Sequence, residues 1–275
     1  MGENGVGDAK KPRKKRRIIL FANLFKGWNA FEYIMFILGL TMPMMFGLIF
    51  GSDPWFIVYA TIACICSLLL AKGKIEGYFL ILISAALYAV LAWQLSLFGE
   101  VAIQMFVVYP LAIIGIISWA KNRRISKIDG AVVVVGHVSW KEFAVVLVVI
   151  AALTYPIYLL LALFNTEFLI LSTASLVLTM AFGYLMIRRS RKAMWFNLLG
   201  DFPTLAIWIW MLSLGNFLAV PMLVMEVIFI VQDTFGIFEW RNLKKRQRRG
   251  KRRKKVAVVA EELAQDIDKA DKPVI

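Results

Sequence analysis

One apolar stretch near residue 200 carries polar side chains that could bind a small molecule. Asn197 and Asp201 are one helical turn apart and Trp208 lies two turns beyond Asp201, so a helix places all three on one face. Gly200 and Pro203 interrupt the helix beside Asp201 and free backbone polar groups at that depth. Asp201 has two interpretations: a contact with a bound substrate, or a buried hydrogen bond between helices.

Aromatic residues near the ends of apolar stretches are further candidates. Trp119, Trp195 and Trp240 could line a binding site, and an aromatic belt at the membrane interface is the alternative. Ser84 and Tyr88 share one helical face, where a place in the protein core explains them equally well. Indole and phenol rings of this kind are suited to stacking against a flat ligand.

Other polar residues lie inside apolar stretches, where an unpaired polar group is costly. Gln104 and Gln232 each fall within such a stretch and are candidates for substrate contact. Glu226 and Asp233 are two helical turns apart in the last stretch and share a face. For that pair, structural pairing explains the spacing as well as a functional role does.

Residues for catalysis or metal binding form no recognisable pattern. The chain has a single histidine, His137, and two cysteines, Cys64 and Cys66, which point to different faces of a helix. No Walker A loop, HExxH motif or GxSxG motif occurs. The sequence therefore predicts no enzyme activity, no cofactor and no metal site, and it argues against an ATP-driven transporter subunit.

The elements that position these residues are long apolar segments. Hydrophobic residues make up 60% of the 275 residues and the mean hydropathy is +0.72, which is more apolar surface than a soluble core can bury. Because a membrane-spanning helix needs roughly 17–25 apolar residues, the sequence predicts an all-α polytopic membrane protein with about eight transmembrane helices. The predicted spans are 31–50, 55–71, 77–96, 101–120, 143–164, 168–187, 195–212 and 217–240.

The basic residues predict the topology. All 32 Lys and Arg residues lie at the two ends of the chain and in the loops 72–74, 121–141 and 188–192, and the intervening loops contain none. Positively charged loops stay on the cytoplasmic side of a membrane. The chain is therefore predicted to be a multi-pass protein of the cytoplasmic membrane with both termini in the cytoplasm.

The net charge of +14 is concentrated in two terminal runs, KKPRKKRR (10–17) and KKRQRRGKRRKK (244–255). Runs of this kind beside a span contact anionic lipid headgroups, and the lack of interleaved aromatic residues argues against nucleic acid. The expected partners are a small-molecule substrate and membrane lipids, with further copies of the same chain as an open alternative.

The chain also contains a weak internal repeat. The spans 55–71 and 168–187 are each followed by a basic loop and an aromatic residue, and the spans 101–120 and 217–240 end in GIISW and GIFEW. This pattern predicts two parallel three-helix repeats joined by one linker helix (3+1+3), with the substrate site between them. The predicted division is a basic cytoplasmic N-terminus (1–30), an extra N-terminal helix (31–54), the first repeat (55–120), a cytoplasmic loop and linker helix (121–164), the second repeat (168–240) and a basic, mixed-charge cytoplasmic tail (241–275).

Several motifs resemble the PnuC family of vitamin transporters. They are GWNAFEY (27–33), LLLAKGKIEGYFLILISAALYAV (68–90), FGEVAIQMFVVYPLAIIGIISWAKN (98–122), VSWKEF (138–143) and QDTFGIFEWRN (232–242). The resemblance implies a three-plus-one-plus-three helix fold similar to that of the SWEET sugar transporters. It also implies transport by facilitated diffusion, with a cytoplasmic kinase trapping the product. Family members carry nicotinamide riboside, a precursor for NAD biosynthesis, and relatives carry thiamine, riboflavin or deoxynucleosides.

The resemblance further implies site residues. Tyr88, Trp119, Trp195, Gln232 and Trp240 match residue types that the family shows at these places. Other positions depart from the family pattern and leave the substrate open. They are Gln104 and Asp201 where the family often has Asn, Ser84 where it often has Asn, Ala112 where it often has Gln, and Asn197 with Leu198 where a second Trp is common.

These observations predict a facilitative transporter (uniporter) for nicotinamide riboside or a closely related nucleoside-like vitamin. One alternative is transport of thiamine or a deoxynucleoside on the same fold. The other, from a different class, is a non-transporting membrane scaffold protein. The candidate substrate-binding residues are Ser84, Tyr88, Gln104, Trp119, Trp195, Asn197, Asp201, Trp208, Gln232 and Trp240.

Overall fold

A computed structural model describes residues 24–94, 98–126 and 129–270, which are almost entirely helical. The basic run 10–17, most of the predicted N-terminal segment and the last five positions of the tail lie outside the described residues. The elements are α1 (Ala30–Ile49), α2 (Pro54–Ala71), α3 (Glu76–Gln94), α4 (Phe98–Ile103), a π-helical segment (Gln104–Val108), α5 (Tyr109–Lys121), β1 (Arg123–Ser126), β2 (Gly130–Val133), α6 (Trp140–Leu163), α7 (Leu169–Ile187), α8 (Ala193–Ser213), a short 3₁₀ turn (Phe217–Ala219) and α9 (Val220–Ala270).

Local capping signals set the starts of several helices. The Asn29 side chain accepts from the Glu32 amide at 3.0 Å, and the Glu32 carboxylate accepts from the Asn29 amide at 2.7 Å. This reciprocal capping box satisfies two backbone donors at the start of α1. Asp53 caps α2 and Ser139 caps α6 more simply, each with one side-chain oxygen that accepts from a backbone amide.

Seven of the described helices are long and apolar enough to cross a membrane. The 21-residue helix α8 is not among the seven, although it packs between α7 and α9. The predicted polytopic helical membrane fold is confirmed. The count of eight crossings stays a prediction that depends on α8, the helix that carries the polar side chains.

Six helical segments form a closed ring around the middle of the bundle. Helix α2 packs on α3, followed in turn by the α4–α5 segment, α7, α8 and α9, and α9 returns to α2. Helix α1 lies outside the ring on α2 and α9, and α6 lies outside on α7. The ring contains the helices of the two predicted repeats, whereas the extra N-terminal helix and the linker helix flank it. The parallel relation of the two repeats stays a prediction.

The loops that carry basic residues meet at one end of the bundle, which we call the basic end. There β1 and β2 pair as an antiparallel hairpin that the sequence analysis did not predict. The Val133 amide donates to the Gly73 carbonyl and the Gly136 amide donates to the Arg189 carbonyl, both at 2.9 Å. A Cβ at residue 136 would lie 2.3 Å from the Arg188 carbonyl oxygen, so only glycine permits this close approach.

Two buried tryptophans connect the predicted repeats near the basic end. Trp119 of α5 donates its indole N–H to the Met186 carbonyl at the end of α7, at 2.8 Å. Trp240 of α9 donates to the Leu70 carbonyl at the end of α2, at 3.2 Å. The two indole rings are in contact, with centroids 5.8 Å apart. The third helix of each predicted repeat therefore binds the first helix of the other.

A buried network of ion pairs joins four elements at the basic end. Lys72 forms hydrogen-bonded ion pairs with Glu32 of α1 and, at 3.2 Å, with Glu239 of α9. Arg246 links Glu239, at 2.6 Å, to Asp129 of the hairpin, at 3.4 Å. Loss of one member would leave a buried charge unpaired, which is strongly unfavourable. The network therefore couples α1, the end of α2, α9 and the hairpin.

Lys74 lies in the same loop as Lys72 and is buried. Its ammonium group donates to the Lys26 carbonyl at 3.4 Å. Burial is the main cause that lowers the pKa of Lys74, to about 8, and the nearby Glu76 carboxylate partly opposes the shift.

Candidate functional site

Two adjoining cavities lie inside the ring of helices. The larger has a volume of about 250 Å³, and its described lining residues come from α2, α3, the π segment, α7, α8 and α9. We call it the acidic cavity, because three carboxyl groups line it. Small-molecule sites are of this order, roughly 300–1,000 Å³. The polar lining residues are Tyr59, Ser67, Ser84, Gln104, Ser175, Thr179, Asn197, Asp201, Thr204, Glu226 and Asp233.

The second cavity, of about 210 Å³, shares seven lining residues with the first: Tyr59, Gln104, Val108, Ser175, Thr179, Thr204 and Glu226. We call it the aromatic cavity, because Tyr88 and Trp208 line it together with Tyr59. Trp208 lies near the far end of α8, so this cavity is farther from the basic end than the acidic cavity is. Together, the two adjoining cavities are lined by both aromatic and acidic groups.

Helix α8 presents a polar face to the acidic cavity. Asn197, Asp201 and Thr204 follow one another along this face. Pro203 has no amide hydrogen and therefore removes one backbone hydrogen bond of the helix. The Thr204 hydroxyl donates to the Gly200 carbonyl at 3.1 Å and contacts the Ser175 hydroxyl of α7 at 2.8 Å. A hydroxyl pair thus joins α7 to α8 beside the acids.

The π segment brings Gln104 to both cavities. The wide turn ends two residues before Pro110, which cannot donate to a carbonyl of the preceding turn. A π turn inserted into an α-helix re-aims the side chains around it and is frequent at functional sites. Gln104 is thereby placed on the inner face of the ring.

Three carboxyl groups meet in the acidic cavity. Asp201, Glu226 and Asp233 are only 6%, 4% and 1% exposed. Asp233 accepts a hydrogen bond from the Asn197 amide and one from the Ser67 hydroxyl at 3.4 Å. The Asp201 carboxyl group lies close to that of Asp233. Asp201 Oδ2 and Glu226 Oε2 are buried and find no hydrogen-bond partner among the described residues.

The aromatic cavity offers flat surfaces with polar edges. The Tyr59 and Tyr88 rings are tilted against each other, with centroids 5.0 Å apart. The indole Nε1 of Trp208 is buried and has no hydrogen-bond partner within the described parts of the chain. A flat ligand could stack on these rings and accept a hydrogen bond from this indole N–H.

Six of the ten predicted site residues line the two cavities. They are Ser84, Tyr88, Gln104, Asn197, Asp201 and Trp208.

The structure places the other four predicted site residues elsewhere. Trp119 and Trp240 are fully buried in the core, and their indole N–H groups bind backbone carbonyls. Trp195 is 46% exposed and stacks against the Arg241 guanidinium, outside both cavities. Gln232 is buried near Gly39 of α1, and its amide finds no hydrogen-bond partner among the described residues.

The site also contains residues that were not on the predicted list. Glu226 and Asp233 line the acidic cavity, although structural pairing explained their spacing equally well. The signal that could have selected them is two acidic residues on one face of an apolar span, where a charge is costly. Tyr59, Ser67 and Thr204 carried no such signal, because hydroxyl groups are common in transmembrane helices.

Comparisons with known proteins agree with this architecture. A family model described as nicotinamide mononucleotide transporter matches residues 53–242, from the cap of α2 to just beyond Trp240. The nicotinamide riboside transporter PnuC of Neisseria mucosa is 27% identical over 233 residues, which is 81% of this chain and 85% of that protein. PnuC of Haemophilus influenzae is 27% identical over 223 residues, 80% of this chain and 93% of that protein.

The fold also matches a solved structure. The crystal structure of the vitamin B3 transporter PnuC aligns with a TM-score of 0.72 at 22% sequence identity, over 80% of this chain and 94% of that one. The family match covers well over half of this chain and includes every helix of the ring. The chain therefore belongs to the nicotinamide mononucleotide transporter family, is similar to the PnuC transporters over most of its length, and is a multi-pass helical membrane protein.

Proposed function

We propose that the chain is a facilitative transporter (uniporter) for nicotinamide riboside or a closely related nucleoside-like vitamin. The observation that carries the proposal is the pair of cavities inside the helix ring, which combine aromatic rings, amides and carboxyl groups. Both curated relatives are named nicotinamide riboside transporters. Nicotinamide riboside has a flat, positively charged ring and a ribose, and each of these groups has a suitable counterpart in the cavities.

The proposed contacts follow from the two cavities. The ring would stack between Tyr88 and Trp208, the acids would face its positive charge, and amides such as Asn197 and Gln104 would bind the ribose or the carboxamide. Thiamine is the second candidate substrate, because it is also a flat cation and suits the same carboxyl groups. An uncharged deoxynucleoside suits them less well.

The proposed setting is the cytoplasmic membrane, with the basic end and both termini in the cytoplasm and lipid around the outer helices. A separate cytoplasmic kinase would trap the product by phosphorylation, because a uniporter alone only equalises concentrations. The division into two repeats, a linker helix and an extra N-terminal helix is part of the same proposal. It is supported by the closed ring that α1 and α6 flank.

Transport by purified protein in liposomes tests the proposal. Labelled nicotinamide riboside should enter without ATP and stop at equal concentration inside and outside when the membrane potential is held at zero. Enclosing a nicotinamide riboside kinase with ATP should make uptake continue. Accumulation driven by a proton or sodium gradient would contradict the uniport mechanism. No entry of nicotinamide riboside, thiamine or a deoxynucleoside would favour the scaffold alternative.

A further inference from the structure

Two small cavities at the basic end are lined almost entirely by cations. One, of about 180 Å³, is lined by Arg191, Arg241, Lys244, Lys245 and Arg248. The other, of about 210 Å³, is lined by Arg191, Arg241, Lys192 and Trp195. Because two arginines line both, the cavities adjoin, and we call them together the basic groove. It is formed by the loop before α8, the first turn of α8 and the part of α9 just beyond Trp240.

The cations of the basic groove have no carboxylate partner among the described residues. Elsewhere at the basic end, ion pairs are formed by Lys72, Arg123, Arg188 and Arg246. None of the ion pairs in the described parts of the chain includes a side chain of the groove. The neighbouring sequence offers no neutralising group either, because residues 241–260 contain no Asp or Glu. The groove therefore concentrates positive charge that the described residues do not balance.

This concentration of charge is unfavourable unless an anion is bound. Arg191 and Arg248 lie close enough to Lys244 to repel it. Arg241 and Lys245 are like-charged neighbours one turn apart on α9, an arrangement that destabilises a helix. The N-terminus of α8, which carries the positive end of the helix dipole, lies beside the groove and has no side-chain cap. A ligand with negative charge between these groups would turn the repulsion into attraction.

The shape and the residue types of the groove favour two phosphate groups. Each cavity is several times larger than the roughly 30 Å³ that one water molecule occupies in the liquid, so each has room for one phosphate. Arginine is suited to phosphate because its planar guanidinium group can donate two parallel hydrogen bonds. Arg191 and Arg241 line both cavities and could each bind both phosphates, with the lysines as additional point charges.

The surroundings of the groove favour a lipid as the source of the phosphates. The Trp195 ring is exposed, with the Arg241 guanidinium carbon 5.9 Å from its centre. Tryptophan is typical of the interface between lipid headgroups and acyl chains. Along the same helix, away from the basic end, α8 exposes Leu199 and Phe202, and α9 exposes Phe238 just before Arg241. Acyl chains can therefore lie against these apolar side chains while the phosphates occupy the groove.

We propose that the basic groove binds a ligand with two phosphate groups, and that this ligand is an anionic phospholipid of the diphosphatidylglycerol type. Basic pockets at the ends of transmembrane helices suit headgroups of this kind. A free diphosphate offers the same two groups without acyl chains and is the alternative source. The site is separate from the acidic and aromatic cavities, so the proposal goes beyond the proposed function and does not depend on it.

Thermal unfolding of the purified full-length protein in lipid nanodiscs tests the proposal. Diphosphatidylglycerol should raise the unfolding temperature above its value in phosphatidylcholine, because a ligand that binds only the folded state stabilises that state. Phosphatidylglycerol, which has one phosphate, should have a clearly smaller effect when the total lipid charge is made equal. The effect of diphosphatidylglycerol should decrease at about 1 M salt, where charges are screened beyond about 3 Å.

Charge-removing variants locate the effect. Arg191→Gln and Arg241→Gln should each weaken binding of diphosphatidylglycerol by roughly tenfold or more, the effect of losing a charge-assisted hydrogen bond. Both side chains are exposed, so neither substitution should prevent folding. Lys121→Gln and Lys141→Gln are matched controls, because they remove an exposed cation outside the groove and should retain the wild-type affinity. Unfolding in phosphatidylcholine alone shows whether each variant is folded.

Inorganic pyrophosphate, added to the protein in phosphatidylcholine nanodiscs, distinguishes the two sources. We expect it to stabilise the protein no more than phosphate does at equal ionic strength, which would assign the groove to the lipid. Stabilisation by pyrophosphate that both arginine variants lose would support the two-phosphate site and overturn the lipid as its ligand. Equal effects of the one- and two-phosphate lipids at equal charge, or equal affinities of the arginine and lysine variants, would overturn the site itself, because a diffuse basic surface predicts both.

Discussion

Trp195 and Trp208 belong to the same helix but have different surroundings. Trp208 lines the aromatic cavity with a free indole N–H, as far as the described residues extend, whereas Trp195 lies outside both cavities. We therefore expect Trp208→Phe to weaken substrate binding roughly fivefold, the effect of losing one neutral hydrogen bond. Trp195→Phe is the matched control and should bind normally. Equal losses of affinity in the two variants would contradict the assignment.

Helical spacing alone indicated that three candidate site residues share one face of α8. Asn197, Asp201 and Trp208 line the cavities as the spacing predicted, because a regular helix keeps such residues on one face. The same reasoning could not place Trp119 or Trp240. Their type and their position near a span end fit a site, an interfacial belt and a core equally well, and only the carbonyl that each indole binds decides between them.

Lys74 should make the stability of the protein depend on pH. Its pKa is about 8 in the folded protein and about 10.5 when unfolded, so the unfolded chain binds more protons between these values. The contribution of Lys74 to the free energy of unfolding should therefore rise as the pH increases from about 8 to about 10.5. Thermal unfolding across this range should show a steeper rise for the wild type than for Lys74→Met. Parallel curves would show that Lys74 titrates normally.

At the scale of elements, glycines permit the closest contacts between helices. A Cβ at Gly115 of α5 would lie 2.3 Å from the Tyr78 ring of α3, whereas a Cβ at Gly200 of α8 would meet nothing closer than 3.5 Å. Gly115→Ala should therefore lower the free energy of unfolding by roughly 1–3 kcal/mol. Gly200→Ala should raise it by up to about 1 kcal/mol, since alanine favours helix. Thermal unfolding of both variants is the measurement, and equal midpoints would refute the packing argument.

The crossed tryptophans predict a loss of stability without a loss of affinity. Trp119→Phe and Trp240→Phe each remove one indole hydrogen bond between helices, worth about 1 kcal/mol. Because the rings touch each other, the two effects should not be additive in the double variant. Trp140→Phe, at an exposed position, is the control. If substrate affinity fell while the melting temperature stayed constant, the structural role would be wrong and both tryptophans would belong to the binding site.

The apolar helices were predictable to within a few residues, except that α9 continues to Ala270, well beyond its predicted end at residue 240, and the hairpin was not predicted. Long apolar runs determine where α1 to α9 lie, since few other segments can cross a membrane. The loop 121–141 was predicted from its basic residues alone, although the run AVVVV (131–135) is typical of a β-strand. Its pairing depends on contacts distant in sequence, such as that between Val133 and Gly73, which no local pattern reveals.

The whole molecule has a predicted orientation that can be tested directly. Reporters fused after residues 74, 127, 190 and 250 should be cytoplasmic, because these positions lie in the stretches of sequence that carry the basic residues. Reporters fused after residues 53, 98, 166 and 214 should be external. Accessibility of single cysteines to a membrane-impermeant reagent is a suitable second measurement. A cytoplasmic reporter at 214 together with an external reporter at 250, with the others as predicted, would show that α8 does not cross the membrane.

The two predicted repeats share a turn but not their polar residues. After α2 and α7, Gly73 and Arg189 both have positive φ values, of 73° and 57°. Their amides donate to the Leu70 and Met186 carbonyls, the same carbonyls that the tryptophans bind. Aligned on these contacts, two of the three cavity acids of the second repeat fall opposite alanines of the first, and Glu226 falls opposite Met105. Asp201 corresponds to Ala85, and Asp233 to Ala112. All three acidic side chains of the cavity therefore come from the second predicted repeat.

The length of α9 has a mechanical consequence. This one helix of 51 residues carries Glu226 and Asp233 in the cavity and continues to Ala270, beyond the basic end. At 1.5 Å per residue, the part beyond Trp240 extends for about 45 Å. From Asp233 in the cavity the helix continues for about 55 Å, so a tilt of about 5° there would displace its far end by about 5 Å. A spectroscopic probe attached near residue 270 would therefore detect, as a larger displacement, any movement on substrate binding of the part of α9 that carries the carboxyl groups.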